Sequence, residues 1–206
     1  ADTRIDFAAM RRRFLDLLRS LGAWCEGLEE MHYVLEIVNE GARWAQKQGR
    51  DPDVIRAEAD AAIRSFETEA ARRAPLLDDA AGALARLKDT GLKTGIITRN
   101  CAEAVHLVLA RYPLRTDVLL TREHVPRVKP DPDHLLRALA ALEISPDRAA
   151  FVGDHVTDVQ CARGAGVLAV AVAGSSSSPE DLRRAGADFV ASSLSQVADY
   201  VLGLSA

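Results

Sequence analysis

The chain has 206 residues, with 26 Lys and Arg against 30 Asp and Glu, so its formal net charge is −4. This length favours one domain or a core domain with an insert, and a hydrophobic content of 48% excludes a disordered chain. The acidic balance argues against nucleic acid as a partner, and the longest apolar run, residues 167–173, is too short to cross a membrane. Cys25, Cys101 and Cys161 are odd in number and far apart, so we expect no disulfide framework and a cytoplasmic location.

The first 74 residues have helical periodicity almost throughout. Apolar residues recur at helical spacing in three stretches, 7–21, 28–48 and 55–73, and Gly22 can end the first helix. Uniform helical patterning of this kind predicts a small helical bundle. We place this first domain at residues 1–74.

Beyond residue 74, short apolar runs alternate with helical stretches. The runs are residues 94–98, 118–120, 149–152, 167–172 and 189–190. Uniformly apolar runs separated by helices are typical of parallel strands that are covered on both faces. The sequence therefore predicts an α/β fold, a doubly wound parallel sheet with a Rossmann-like core, over residues 75–206.

Two of these runs lead into residues that can bind a phosphate. In a doubly wound sheet, ligands bind beyond the carboxyl ends of the strands. One run ends in Thr98, Arg99 and Asn100, where a hydroxyl and backbone amides can hold a phosphate oxygen or can simply cap the next helix. Lys129 stands in a segment stiffened by two prolines, where it can neutralise a phosphoryl group or can be an ordinary exposed lysine.

Two carboxylates follow the strand predicted at 149–152. Asp154 comes directly after Gly153, and Asp158 lies four residues further on, which places both near the start of the next helix, one turn apart. Paired carboxylates suit Mg²⁺, although they can also complement a helix N-terminus. Because a carboxylate at the end of a buried strand is costly without a partner, we favour metal binding.

The ordered set of motifs resembles the haloacid dehalogenase-like phosphohydrolase superfamily. Members have a hydroxyl at the end of one strand, a basic residue before a helix, and a Gly-Asp pair with a second Asp four residues on. These are matched here by Thr98, by Lys129, and by Asp154 with Asp158. The resemblance covers essentially all of residues 75–206, and residues 5–74 are similar to the helical cap of phosphoglycolate-phosphatase-like members.

The resemblance implies a Mg²⁺-dependent phosphatase that hydrolyses a small phosphorylated metabolite through an aspartyl-phosphate. Asp154 would hold the metal, and Asp158 would be a second ligand or would orient Lys129. The implied catalytic residues are Lys129, Thr98 and Asp158, and the implied substrate-binding residues are Thr98, Arg99, Asn100 and Lys129. His155 is expected at the rim of the site, and the cap would supply selectivity, with Arg11, Arg12 and Arg13 as candidate contacts.

The first motif of the family, an apolar strand ending in Asp-x-Asp-Gly-Thr, has no match in this sequence. Its first Asp is the nucleophile of the family. Residues 1–4 resemble the stretch that follows this motif, so we expect the nucleophile on a strand upstream of Ala1. That strand would lie between the strands that end at Thr98 and Asp154, and without it the chain would be inactive.

Two alternatives share the motifs that are present. One is a binding or regulatory protein that keeps the phosphate and metal ligands but lacks a nucleophile, and the other is a phosphomutase of the same superfamily. A phospho-accepting receiver domain is excluded by the order of the motifs, because there the acidic residues come first and the lysine last. We expect a monomer or a homodimer that binds neither nucleic acid nor membranes.

Overall fold

The structure, a computed structural model, describes residues 5–174 and 176–204. Residues 1–4, which the family resemblance likens to the end of the first motif, lie outside these ranges. The chain divides into two compact units. One runs to Pro75 and takes in His106–Val108, and the other consists of Leu76–Val105 and the chain from Leu109 onward.

The first unit is helical, as predicted. Its helices are α1 (Phe7–Ser20), α2 (Val34–Lys47) and α3 (Pro52–Arg73). Asp6 caps α1 by accepting a hydrogen bond of 2.8 Å from the backbone N–H of Ala9. The core between the helices includes Phe14, Leu18 and Ile37, which are fully buried.

The predicted start of the second helix, near residue 28, is wrong. Residues 26–30 form a turn in which the Glu30 N–H donates to the Gly27 carbonyl, and α2 begins only at Val34. Gly27 has φ +88°, a left-handed conformation that ends helical periodicity. Leu28 is nevertheless fully buried in the core of the unit, so its apolar character marks a buried turn rather than a helix.

The second unit alternates helices with parallel strands, which confirms the predicted α/β fold class. Its strands are β1 (Gly95–Ile97), β2 (Val118–Leu120), β3 (Ala150–Gly153), β4 (Leu168–Val172) and β5 (Phe189–Ala191). Its helices are α4 (Ala80–Asp89), α5 (Ala102–Arg111), α6 (Asp133–Leu142), α7 (Val156–Ala165), α8 (Pro179–Arg184) and α9 (Leu194–Leu204).

Strand β4 is covered on both faces. Ala169 and Ala171 belong to a buried cluster that includes residues of α6, α7 and α8. Val170, which points to the opposite face, packs with Val197 of α9 and the half-buried Tyr200. This alternation shows why a uniformly apolar run, rather than an alternating one, encodes a central strand.

The sheet is interrupted between β1 and β3. Strand β1 pairs with β2, and β3 pairs with β4, which pairs with β5, but within the described residues no ladder joins the two groups. Ile97 and Phe151 nevertheless pack against the same buried cluster, so the two edges share one core. The facing edges of β1 and β3 therefore offer backbone N–H and C=O groups to a further parallel strand. This is the position at which the family resemblance places an additional strand.

Candidate active site

Lys129 and Asp158 form a buried ion pair at the carboxyl end of the sheet. The ammonium Nζ of Lys129 lies 2.6 Å from Oδ1 of Asp158, and their side chains are only 13% and 8% exposed. The ammonium also lies 5.4 Å from the ring centroid of Phe151 on β3, a cation–π contact. The structure thus brings together two of the predicted site residues that are 29 positions apart in the sequence.

Asp158 has a second bond that starts the following helix. Its Oδ2 accepts the backbone N–H of His155 at 3.1 Å, while the His155 ring accepts the N–H of Thr157. This reciprocal capping box places Asp158 in the first turn of α7. Both carboxylate oxygens of Asp158 are therefore engaged, one by Lys129 and one by the helix cap.

Asp154 has a different environment from Asp158. It directly follows β3 and is exposed to solvent. Its Oδ2 accepts a hydrogen bond of 2.5 Å from the hydroxyl of Ser176. Its carboxylate is thus accessible at the strand end, whereas that of Asp158 is buried.

Thr98 occupies the end of β1. Its N–H donates to the Leu120 carbonyl at 3.0 Å, and its hydroxyl oxygen accepts the N–H of Asn100 at 3.2 Å. The second bond is the local turn that the capping interpretation predicts, and it leaves the hydroxyl hydrogen able to donate to a ligand. The Asn100 carbonyl accepts the Arg122 N–H at 3.4 Å, so the Thr98–Asn100 loop is tied to the segment that follows β2.

The sequence of this chain matches a known protein family over most of its length. The family described as haloacid dehalogenase-like hydrolase matches residues 28–172, which is more than half of the chain. The chain belongs to this family.

Curated relatives of this haloacid dehalogenase-like chain are named as phosphatases. It is 37% identical over 100 residues to the N-acetylmuramic acid 6-phosphate phosphatase of Pseudomonas aeruginosa, across 48% of this chain and 44% of that protein. It is 36% identical over 88 residues to the pyrophosphatase PpaX of Bacillus mycoides, across 42% of this chain and 41% of that protein. The chain thus spans about half the length of the curated relatives that it matches.

Solved structures with other names share the fold of this chain at low sequence identity. A phosphonoacetaldehyde hydrolase like protein from Oleispira antarctica superposes with a TM-score of 0.68 at 18% identity, covering 97% of this chain and 88% of that one. CbbY from Rhodobacter sphaeroides, solved in complex with phosphate, gives 0.64 at 24% identity, covering 93% and 90%. At these identities the likeness establishes the fold alone.

A divalent cation at this site would depend on the carboxylates of Asp154 and Asp158. Within residues 5–174 and 176–204, no group of three or more His, Cys, Asp or Glu side chains could hold a metal by itself. Mg²⁺ in phosphate enzymes keeps several waters and takes only one or two carboxylates together with substrate oxygens. The exposed carboxylate of Asp154 fits this requirement, whereas Asp158 would have to give up Lys129 or the helix cap. Metal binding by either residue stays a prediction.

His155 lies between the two acidic residues in the sequence, and its backbone N–H donates to Asp158. Burial lowers the pKa of its imidazole, and the positive charge of Arg99 lowers it further, although Asp158 and Asp154 act in the opposite direction. The ring nitrogen Nδ1 caps α7, so His155 has a structural role in the first turn of that helix.

The three arginines of α1 have different surroundings. Arg11 donates from Nε to the Met31 carbonyl at 2.8 Å and from Nη2 to the Glu29 carbonyl, so it holds the 26–30 turn against α1. Arg12 and Arg13 are exposed. An open cavity of about 430 Å³ is lined by Arg11, Arg12, Leu15, Asp16, Arg19 and Glu29. A role for these arginines in substrate binding stays a prediction.

Sequence reasoning missed two side chains that brace the Lys129 segment. The thiol of Cys161 on α7 donates to the Asp131 carbonyl at 3.4 Å, and burial raises its pKa to about 11, so the thiol remains neutral. His134, in the first turn of α6, is fully buried and lies 3.2 Å from the Leu120 carbonyl. Neither residue was assigned a role in the site from the sequence, and no local pattern singles out His134, which stands between Asp133 and Leu135.

Gly153 is required by the space that Asp158 occupies. A Cβ at this position would lie closer than 3.0 Å to the side chain of Asp158, which Lys129 and the helix cap hold in place. We expect Gly153→Ala to lower the free energy of unfolding by about 1–3 kcal/mol, as overpacking does, in urea denaturation.

Gly164→Ala is the matched control for this prediction. A Cβ at Gly164, also near the Lys129 segment, would meet Pro132 at 3.5 Å, an ordinary contact. Since Gly164 lies within α7, alanine there should raise stability by roughly 0.5–1 kcal/mol. Equal denaturation midpoints for the two variants would show that the space beside Asp158 is not limiting.

Proposed function

We propose that this chain forms the cap and most of the core of a Mg²⁺-dependent phosphatase that hydrolyses a small phosphate monoester. The observation that carries the proposal is the buried Lys129–Asp158 pair, together with the exposed carboxylate of Asp154 that directly follows β3. The names of the curated relatives, a sugar phosphate phosphatase and a pyrophosphatase, support a phosphate-releasing reaction.

The nucleophile would be an aspartate outside the described chain. A parallel strand inserted between β1 and β3 would pair with the two strand edges that have no ladder among residues 5–174 and 176–204, and it would end near Lys129 and Asp154. A carboxylate at its end would attack phosphorus, the bond to the leaving oxygen would break, and that oxygen would take up a proton. Water would then attack the acyl-phosphate, release inorganic phosphate and restore the carboxylate.

The residues of this chain would bind and orient the phosphoryl group. The Lys129 ammonium, held by Asp158, would offset its negative charge, and the Thr98 hydroxyl would donate to one of its oxygens. Arg99 and Asn100 are further phosphate contacts at the same strand end. Mg²⁺ bound by Asp154 would add electrostatic stabilisation of the phosphoryl oxygens, and Asp158 would serve mainly to orient Lys129.

The helical unit would act as the cap that selects a small phosphorylated metabolite and excludes water during the reaction. None of Cys25, Cys101 and Cys161 forms a disulfide, which supports a reducing compartment such as the cytoplasm. No helix among residues 5–174 and 176–204 combines the length and apolarity needed to span a membrane.

The complete natural protein tests this proposal. With Mg²⁺ it should release inorganic phosphate from p-nitrophenyl phosphate. When the protein is quenched in acid during turnover of a ³²P-labelled ester, it should carry a ³²P label that hydroxylamine removes, as expected for an acyl-phosphate. Asp→Asn at the first aspartate of the inserted strand should eliminate both signals. Absence of phosphate release would contradict the phosphatase, and transfer of the label to a second hydroxyl of a sugar phosphate would identify a mutase.

A further inference from the structure

His134 connects two parts of the site that carry different phosphate-binding groups. Its Nε2 lies 3.2 Å from the Leu120 carbonyl oxygen at the end of β2. A carbonyl oxygen can only accept, so Nε2 carries the hydrogen and donates. The side chain is fully buried, which shields this bond from competition with water.

The same carbonyl also determines the position of Thr98. The Leu120 oxygen accepts the Thr98 N–H at 3.0 Å in addition to His134. One oxygen therefore joins the end of β1, which carries the candidate phosphate-binding hydroxyl, to the first turn of α6. A shift of either donor changes the separation between β1 and α6.

The first turn of α6 is coupled to Lys129 by a short, stiff segment. Asp131 accepts the N–H of Asp133 at 2.9 Å through Oδ1, and its own N–H donates to the Val128 carbonyl at 3.1 Å. Pro130 and Pro132 restrict the backbone between them. A displacement of the turn that holds His134 is therefore transmitted to Lys129.

The other side of this segment is fixed to α7, the helix that carries Asp158. The Cys161 thiol donates to the Asp131 carbonyl at 3.4 Å, and Lys129 itself pairs with Asp158. The contacts with α7 thus hold Lys129 against β3 and α7. The link toward Thr98 runs through His134.

We propose that His134 is a positioning residue for phosphate binding, whose bond to the Leu120 carbonyl sets the separation between Lys129 and Thr98. The inference rests on the proposed function, which assigns Lys129 and Thr98 to the same phosphoryl group. The imidazole does more than fill space, because its Nδ1 is buried without a hydrogen-bond partner in the described structure, a cost that an apolar side chain would not incur. Burial lowers the pKa of the ring, so the donor is a neutral imidazole.

The test compares two substitutions of His134 in the complete protein. His134→Leu removes the donor and should lower kcat for p-nitrophenyl phosphate by about 10- to 100-fold, the range expected for slight misplacement of reacting groups. His134→Gln can present an amide N–H near the Nε2 position and should recover most of that loss.

Leu139→Ala is the control for lost packing. Leu139 is buried on the same helix, and its removal should lower thermal stability without a comparable loss of kcat. If His134→Leu leaves kcat unchanged, or if His134→Gln is as impaired as His134→Leu, the positioning role is overturned.

A second readout does not depend on activity. Because Lys129 is shielded, acetic anhydride should acylate it slowly in the wild type. Acylation should be several-fold faster in His134→Leu and should stay at the wild-type rate in His134→Gln and Leu139→Ala, as measured by peptide mass spectrometry. Unchanged acylation in His134→Leu would overturn the link between His134 and Lys129. Absence of phosphate release by the wild type would reject the proposed function, and the acylation rates would still decide the link.

Discussion

Replacing Lys129 by methionine should abolish phosphate release and lower the free energy of unfolding by about 3–5 kcal/mol, the range typical for breaking a buried ion pair. The large effect on stability follows from the environment of its partner. The Asp158 side chain is only 8% exposed, so its charge would remain in a poorly solvated position without a cation. Urea denaturation and phosphate release by the same samples measure the two effects.

Two variants give this prediction its controls. Lys88→Met breaks the Lys88–Asp117 pair, whose side chains are 29% and 43% exposed, and should destabilise the protein far less, because water solvates the carboxylate that is left behind. The double variant Lys129→Met with Asp158→Leu removes both charges and should regain much of the stability while remaining inactive. A loss for Lys129→Met as small as that for Lys88→Met would contradict the importance of burial.

Asp154→Asn should reduce Mg²⁺-dependent hydrolysis of p-nitrophenyl phosphate by roughly 1,000-fold or more, while stability changes little. A lost metal interaction worth several kcal/mol corresponds to a factor of this order. Because Asp154 is exposed and bonds to the Ser176 hydroxyl, the amide can replace the carboxylate without leaving a buried charge. Steady-state kinetics over a Mg²⁺ titration measures the effect.

Ser176→Ala is the matched control for Asp154. It removes the hydroxyl that donates to Asp154 but keeps the carboxylate, so kcat should remain within a few-fold of the wild type. Unchanged turnover of Asp154→Asn would refute the assignment of Asp154 to the metal. The variants at Lys129 and Asp154 thus separate a residue that supports both fold and chemistry from one that supports chemistry alone.

Local pattern was sufficient to predict the strands and most helices of this chain. The apolar runs that become β2 and β4 were predicted almost to their ends, because residues of a strand covered on both faces have no polar alternative. The stretch around Leu28 was assigned to a helix incorrectly, since a buried turn and a helix both require apolar residues there. Periodicity cannot distinguish them without the left-handed Gly27.

The three strand-end motifs were also visible in the sequence, because the residue types and their order carry the chemistry of phosphate and metal binding. Their partners were not. Asp158 was predicted either to bind metal or to orient Lys129, and only the fold shows that a carboxylate 29 residues away lies 2.6 Å from the ammonium. Contacts over such separations depend on how strands and helices pack, which local sequence does not encode.

By itself, then, the sequence determined the family, the α/β fold class and the residue types at the carboxyl ends of the strands. The tertiary structure decided which of those residues are buried together and that His134 and Thr98 share one carbonyl oxygen. It also showed that, in the part of the chain that the structure describes, no ladder joins β1 to β3. The physical reason is that hydrogen bonds and burial belong to pairs of groups in space. Composition and spacing describe each group separately.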